Sequence, residues 1–336
     1  MKKYFIMAAI AAVTLASCST ADDEVATNPS KTTDPVAVTL SNTLSKATTR
    51  AATGLQNAKI VSGVQVGVSA FLTGKTASYA LGTGTYAYIN VPYTATDDNG
   101  TLTVGDNKVY YPTDGSNVDI YAYAPYTTST SSYVGPDINS NALDFSVQAD
   151  QTTNVTDGGY LKSDFIWASL ADQASSTTAK ALIFSHELAR ISVTLSKEEG
   201  SPITNAELES AQIDILNTFL GSTVNLKTGE VTLVNSGENV AVKTITAKAT
   251  ATSATAAAAI IIPQTVTKGT QFIKVTIGTT AYVYSIPTGE GVDDMAFAGG
   301  KDYQYTITVS PTGIKVSSSI NNWGTTTDQT GTATQQ

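Results

Sequence analysis

Cysteine, histidine and arginine are nearly missing from this sequence: one Cys, one His and two Arg in 336 residues. A lone Cys18 excludes an intrachain disulfide and a structural zinc site built on cysteines. A lone His186 means that any Ser-His-Asp or Cys-His arrangement would have to use that residue. Long apolar runs are also lacking, since Tyr4–Leu15 is too short to span a bilayer as a permanent helix. Positive charge is scarce as well, with a formal net charge of -9. That balance argues against nucleic acid and against charge-driven binding to anionic membranes. Long amphipathic helical patterns are almost absent, and the glycines form neither GxGxxG nor a phosphate loop between strand and helix. What remains is a chain rich in Thr, Ser, Ala, Val and Tyr, three of which favour strands. An apolar content of 41% is normal for a folded protein. The length suffices for two domains with substantial cores.

The first residues read as a targeting segment. Lys2 and Lys3 give a basic start, Tyr4–Leu15 an apolar core, and Leu15-Ala16-Ser17-Cys18 matches a bacterial lipobox. A signal peptide over 1–17 is therefore expected, with Cys18 as the first residue of the lipoprotein. Ser19–Glu24 is a short acidic run. It resembles the signal that sends Bacteroidetes lipoproteins to the outer cell surface, and it also fits a solvated linker. Ala21–Thr33 is polar and reads as a tether.

The rest of the chain is organised around Asp34–Arg50. Val36, Val38 and Leu40 alternate with small or polar residues, the two-residue period of a half-buried strand. Of the two arginines, Arg190 lies in the strand-like run ALIFSHELARISVTL, where folding would shield it. Arg50 lies in KATTRAATG, small and polar, the kind of segment that proteases nick. We expect an arginine-specific protease to cut after Arg50 and leave Ala51 as the new N-terminus. Residues 18–50 then form a propeptide with a removable strand. Loss of residues 1–50 as a whole removes five basic and four acidic residues and shifts the balance from -9 to -10. A sheet that loses a strand keeps a row of unpaired N–H and C=O groups beside an apolar groove, which can take a strand from another molecule.

Beyond Arg50 the sequence predicts many short strands with regular turn signals, an all-β chain of two β-sandwich domains. Strands are expected within Ala58–Leu72, Thr85–Tyr93, Lys108–Pro112, Val118–Pro125 and Leu161–Leu170. Asp97–Gly100 is the turn of a hairpin. Ala171–Ala179 is a small, polar break, which sets an N-terminal domain at 51–178 and a C-terminal domain at 179–336. The second begins with Lys180–Leu195 as a strand unit. Strands follow at Ala211–Leu216, Ser222–Leu226, Glu230–Val234, Ala256–Gln264, Gln271–Ile277, Tyr282–Ile286, Tyr303–Val309 and Ile314–Ile320. Thr204–Glu207 has capping-box form for one helical turn. Gly324–Gln336 is a polar tail.

Candidate chemistry is thin. His186 lies in a core pattern and reads as structural. Asp97-Asp98, Glu198-Glu199 and Asp293-Asp294 read as solvated turn carboxylates, and none has the spacing of a calcium loop. No metal, cofactor or catalytic residue is expected. The tyrosines Tyr79, Tyr86, Tyr88, Tyr93, Tyr110, Tyr111, Tyr121, Tyr123 and Tyr126 can stack on sugars or pack sheet faces, and packing is the expectation.

Several runs, in order, resemble the fimbrillin family of Bacteroidales, the pilins of type V pili. They are Tyr110-Tyr111-Pro112 with VDIYAYAPY, Asp164–Ala168, Phe184–Ile191, Ile261-Ile262-Pro263-Gln264, and FAGGKDYQYTITVSPTGIKVSSSINNW ending at Trp323. The resemblance spans almost the whole chain. It implies two transthyretin-like β-sandwich domains, export as a lipoprotein with Cys18 lipidated, cleavage at Arg50, and polymerisation by donor-strand exchange. His186 carries no catalytic role in that family. The implied partners are other pilin subunits, an arginine-specific protease, the outer membrane through the precursor's lipid, and surface glycans or proteins as adhesion targets. Shaft pilins donate a C-terminal strand. Here the residues after Trp323 offer only Thr and Ala to a groove, and Ile314, Val316, Ser318 and Ile320 make a better strand. A tip or accessory pilin is therefore the alternative to a shaft subunit. A glycan-binding lipoprotein that stays anchored through Cys18 is the other alternative, and a secreted β-sandwich hydrolase is weaker still.

Overall fold

The computed structural model describes residues 35–44, 59–76, 88–97, 99–128, 137–153, 157–234, 240–248 and 255–323. The targeting segment, Cys18, Arg50, Ala51, Tyr79 and Tyr86 lie outside them, as does the tail after Trp323.

The first eight strands are β1 (Leu40–Leu44), β2 (Gln65–Leu72), β3 (Val91–Ala95), β4 (Thr101–Val104), β5 (Val118–Ala124), β6 (Ala142–Ser146), β7 (Ile166–Gln173) and β8 (Lys180–His186). Seven of them close into one sheet in the order β1-β4-β3-β2-β5-β7-β8. The sequence predicts a β-sandwich here. The sheet closes because β1 bonds to β4 along one side, antiparallel, and to β8 along the other, parallel. Alternate residues of each strand point inward, so the pleat fills the interior with Val66, Val68, Tyr93, Ile120, Leu182 and Phe184, all buried. The expected β3–β4 hairpin is present, with Ala95 opposite Leu102. Its turn is held by the Asp97 carboxylate, which accepts from the backbone N–H of Asn99 and Thr101 at 3.0 and 2.9 Å.

The later strands are β9 (Ala189–Lys197), β10 (Gln212–Thr218), β11 (Gly221–Asn225), β12 (Val231–Leu233), β13 (Val240–Lys243), β14 (Ile245–Lys248), β15 (Thr255–Ile261), β16 (Gln264–Val266), β17 (Gln271–Ile277), β18 (Thr280–Ser285), β19 (Met295–Phe297), β20 (Lys301–Ser310) and β21 (Gly313–Asn322). The sheet β14-β15-β9-β20-β21 faces the sheet β13-β10-β17-β18. Ile191, Val193 and Ile307 from the first meet Ile213, Ile273 and Val275 from the second in a core of their own. The capping box forms: the Thr204 hydroxyl accepts from Glu207 N–H, and the Glu207 carboxylate accepts from Thr204 N–H at 2.8 Å. The helix it starts is short, Asn205–Glu209.

Three expectations need correction. Lys180–Leu195 reads as one strand unit at the head of a second domain, but it is two strands in two different sheets. β8 pairs with β7 and β1, while β9 pairs with β15 and β20. The boundary expected at 178/179 thus falls just ahead of a strand that belongs to the first sheet. The hairpin β11–β12 also reaches back, pairing with β6 and burying Val224 in the first core. Lys108–Pro112 is not a regular strand; only Tyr110 makes a bridge, to Ala37. The strand expected within Leu161–Leu170 is present as β7, and a short helix, Gly159–Ser163, leads into it.

The apolar run at β15 explains how the two cores join. Ala257, Ala259 and Ile261 point into the second core, and Ala258, Ile260 and Ile262 point into the first. A strand covered on both faces needs an unbroken apolar sequence rather than an alternating one. Beside it, the fully buried Gln151 side chain accepts from Ile260 N–H at 2.8 Å and donates to Ile260 C=O at 2.7 Å. The primary amide thus stands in for one more residue of a neighbouring strand. Replacing it leaves a buried N–H and C=O unpaired, at roughly 1–3 kcal/mol for each group. Gln151→Leu should therefore lower the unfolding free energy by about 2 kcal/mol or more in denaturant titration. Ile183→Thr, at a position 62% exposed, should leave it nearly unchanged.

Candidate functional site

The candidate site is the line where β1 closes the first sheet. Its geometry starts ahead of the strand proper. Val38 N–H donates to Val109 C=O at 2.8 Å, and Tyr111 N–H donates to Val36 C=O at 2.9 Å. Lys180 N–H donates to Thr39 C=O at 2.9 Å, after which β1 and β8 run in parallel register from Leu40 beside Lys180 to Leu44 beside Phe184. The Tyr93 hydroxyl donates to Val38 C=O at 3.1 Å. Burial pushes its pKa up, so the phenol stays a donor at ordinary pH.

The expected strand residues Val36, Val38 and Leu40 all face inward. Val38 and Leu40 are buried, and Val36 is half-buried against the same core. The paired stretch, however, is Leu40–Leu44, further along than the alternation Val36–Leu40 indicates. Asn42 and Leu44 are the inward residues that sequence reasoning missed. Asn42 is fully buried, and its polar side chain interrupts the apolar pattern that would have carried the reading through to Leu44. The period-two spacing Leu40, Asn42, Leu44 was the signal that could have found them.

Asn42 is held on both sides. Its Nδ2 donates to Gly100 C=O at 3.0 Å, its backbone N–H donates to the same oxygen at 2.7 Å, and its Oδ1 accepts from Ile60 N–H at 2.9 Å. Gly100 has φ +87°, and a Cβ there would lie 2.3 Å from the Asn42 carbonyl oxygen. The β3–β4 turn needs glycine at this position so that β1 can approach.

A second cluster lies where β8 turns into β9. His186 Nδ1 is 2.7 Å from Asp164 Oδ1, and both side chains are buried. The indole of Trp323 stacks on the imidazole at 3.9 Å, and the Arg190 guanidinium lies over the same indole at 5.0 Å. Arg190 Nη2 donates to Asp302 Oδ2 at 2.8 Å, and Ser192 and Gln304 donate to the same carboxylate. An Asp-His pair is two-thirds of a hydrolytic triad. Here Nε2 is buried with no hydrogen-bond partner among the described residues, and the ring is covered by Trp323. A general base must reach both nucleophile and substrate, so this pair is structural. It ties the β8–β9 corner to the last described residue.

Among the described residues no group of three or more His, Cys, Asp and Glu is placed to hold a metal ion. No described helix is long and apolar enough to cross a membrane. The tyrosines divide between two environments. Tyr93, Tyr111 and Tyr123 are core residues, and Tyr121 sits edge-on to Phe71. Tyr88, Tyr110 and Tyr126, with Asn107 and Asp106, line a cleft of about 530 Å³.

A model of the fimbrillin-like family matches residues 49–323, and the chain belongs to that family. A candidate fimbrium subunit of Bacteroides uniformis, Fim1C, is 28% identical over 230 residues, 68% of this chain and 69% of that protein. The fold resembles that of a candidate cell adhesion protein from Bacteroides uniformis, with TM-score 0.61 and 24% identity, over 85% of this chain and 99% of that one. A second, from Bacteroides ovatus, gives TM-score 0.62 at 18% identity, over 86% and 98%. The family match begins at residue 49, so β1 lies ahead of it.

Glu187, at the corner between β8 and β9, carries a carboxyl that burial pushes up to about 7. A folded-state pKa above the unfolded one favours folding at low pH. That contribution is complete below about 4.5 and fades as pH rises through about 7. Glu187→Gln mimics the protonated form, so the variant should match the parent near pH 4.5 and be the more stable of the two at pH 8. Thermal unfolding across that range reads the difference.

Proposed function

We propose that this protein is a non-enzymatic subunit of a surface fimbria that supports cell adhesion, and that it assembles by strand exchange after its leading strand is cut away. The precursor is held at the outer membrane by lipid on Cys18. Cleavage after Arg50 detaches 18–50, which contains β1, and makes Ala51 the new N-terminus. The body consists of two β-sandwich-like domains that divide near 178/179, with β8 from beyond that point completing the first sheet. Its partners are further pilin subunits and an arginine-specific protease.

One observation carries this reading: the strand that closes the first sheet lies entirely ahead of Arg50. Val38, Leu40 and Leu44 are almost fully buried, which corresponds to about 1.5–3 kcal/mol for each side chain. Each ladder bond adds roughly 0.5–1.5 kcal/mol. Before the cut β1 is part of the same molecule and fills the groove at high effective concentration. After the cut it is an ordinary ligand, and a strand from another subunit can take its place between β4 and β8. Both flanking edges then need a partner, so the cut turns a closed sheet into a receptor. On the donor side, β21 pairs with β20 through ten residues, and Val316 is buried in the second core. To donate that strand a subunit would have to give up its own pairing, which keeps a tip or accessory position open.

The cleft at Tyr88, Tyr110 and Tyr126 favours a second reading, a glycan-binding lipoprotein that stays anchored through Cys18. Aromatic faces beside amide and carboxylate groups are what a sugar ring needs.

Soluble precursor starting at Ser19 and its Arg50→Ala variant, treated with an arginine-specific protease, separate the readings. The parent should yield Ala51 as the new N-terminus and a ladder of bands on an unboiled denaturing gel, and the variant neither. An intact parent that binds glycans would overturn the fimbrial reading in favour of the anchored one.

A further inference from the structure

We infer that the groove left by β1 selects its incoming strand by a buried amide, and that Asn42 is the register key which a partner's strand must reproduce. The inference rests on the strand-exchange reading above. It adds what that reading lacks, the chemistry that tells the groove where along a partner strand to bind.

Alternation alone cannot set the register. A slip by one residue turns every apolar side chain outward and is rejected. A slip by two keeps the same face inward, and the groove would then take Val36, Val38 and Leu40 where Val38, Leu40 and Asn42 belong. Aliphatic side chains of similar size tolerate such exchanges. Asn42 breaks the degeneracy. At its position the groove presents Ile60 N–H and Gly100 C=O, both on buried residues and both facing the strand. Val38, Leu40 and Leu44 occupy the neighbouring inward positions with aliphatic surface only.

A strand slipped by two residues puts a leucine against Ile60 N–H and an amide into an apolar slot. Both errors leave buried polar groups without partners. Gly100 C=O suffers less, because the strand's own backbone N–H still reaches it. Ile60 N–H has no such substitute among the bonds β1 makes, so the side-chain oxygen at position 42 decides. A buried polar residue that fixes register at some cost in stability is known from helical coils, and the same physics applies to a sheet. The partner this groove fits is an extended segment with an Asn, or a residue of equal hydrogen-bonding capacity, flanked two residues away on each side by aliphatic side chains.

The test uses the precursor from Ser19, cut at Arg50 and challenged with an excess of labelled peptides spanning Asp34–Lys46. Fluorescence anisotropy reads the binding. Three peptides are compared: the natural sequence, Asn42→Leu, and Leu40→Asn combined with Asn42→Leu. The last has the same composition and alternation as the first, with the amide moved by two positions. The natural peptide should bind, and Asn42→Leu should bind about ten- to a hundredfold more weakly. The double variant should recover most of the affinity, because a slip of two residues returns its amide to Ile60 N–H with aliphatic side chains on both sides. Equal affinity for all three would overturn the register key and leave strand exchange intact. Failure of all three, the natural peptide included, would overturn strand exchange itself and the register key with it.

Discussion

The first sheet is closed by a strand that the chain is expected to lose. β1 is hydrogen-bonded on both sides, antiparallel to β4 and parallel to β8, so it has no free edge. Its inward side chains join the same core as Tyr93, Leu102 and Phe184. Other features follow from that position. The β3–β4 turn has a glycine at 100 to let β1 pass. The hydroxyl of Tyr93 is aimed at the β1 backbone. Ile60 presents its N–H to a side chain of β1 rather than to a regular ladder partner. A sheet built this way is complete only while the strand is present, and its two exposed edges differ in chemistry once the strand has gone.

The remainder of the molecule is tied to this sheet at several points. β15 has one face in each core, and Gln151 joins it to the first unit through both backbone groups of Ile260. The β8–β9 corner is fixed by the Asp164–His186 pair, by Trp323 stacked on His186, and by the Arg190–Asp302 pair on β9 and β20. Removing one partner of a buried pair leaves an uncompensated charge, so such clusters resist local opening. β8, one wall of the groove, is thereby held in place from its far end. A receptor for a strand needs rigid walls, because a wall that moves would have to be ordered again on binding.

Much of this architecture was legible in the sequence, and the gaps have physical causes. The β3–β4 hairpin and the capping box at Thr204 are local features, set by turn and capping chemistry within a few residues. Membership of the fimbrillin-like family was legible from ordered runs along the chain. The division of Lys180–Leu195 between two sheets was not, because a bend inside an apolar alternating run leaves no turn residue to read. The return of β11–β12 to β6 is a long-range pairing and has no local signal. At the candidate site, Val36, Val38 and Leu40 were read as inward from their spacing, while Asn42 was passed over because it is polar.

That oversight at Asn42 has a general cause. Binary patterning identifies which face of a strand is buried, but it treats every polar residue as a sign of solvent. A buried amide with both of its hydrogen-bonding functions satisfied violates the pattern while stabilising one register over its neighbours. Such violations are expected where a sequence must specify a partner as well as a fold. A groove lined only with aliphatic side chains would accept many strands at many offsets, and the resulting polymers would vary in spacing from joint to joint. On the strand exchange proposed above, one polar position satisfied only in the correct register would give every joint the same geometry. The small loss of apolar surface at Asn42 would then be offset by uniformity in the proposed assembly.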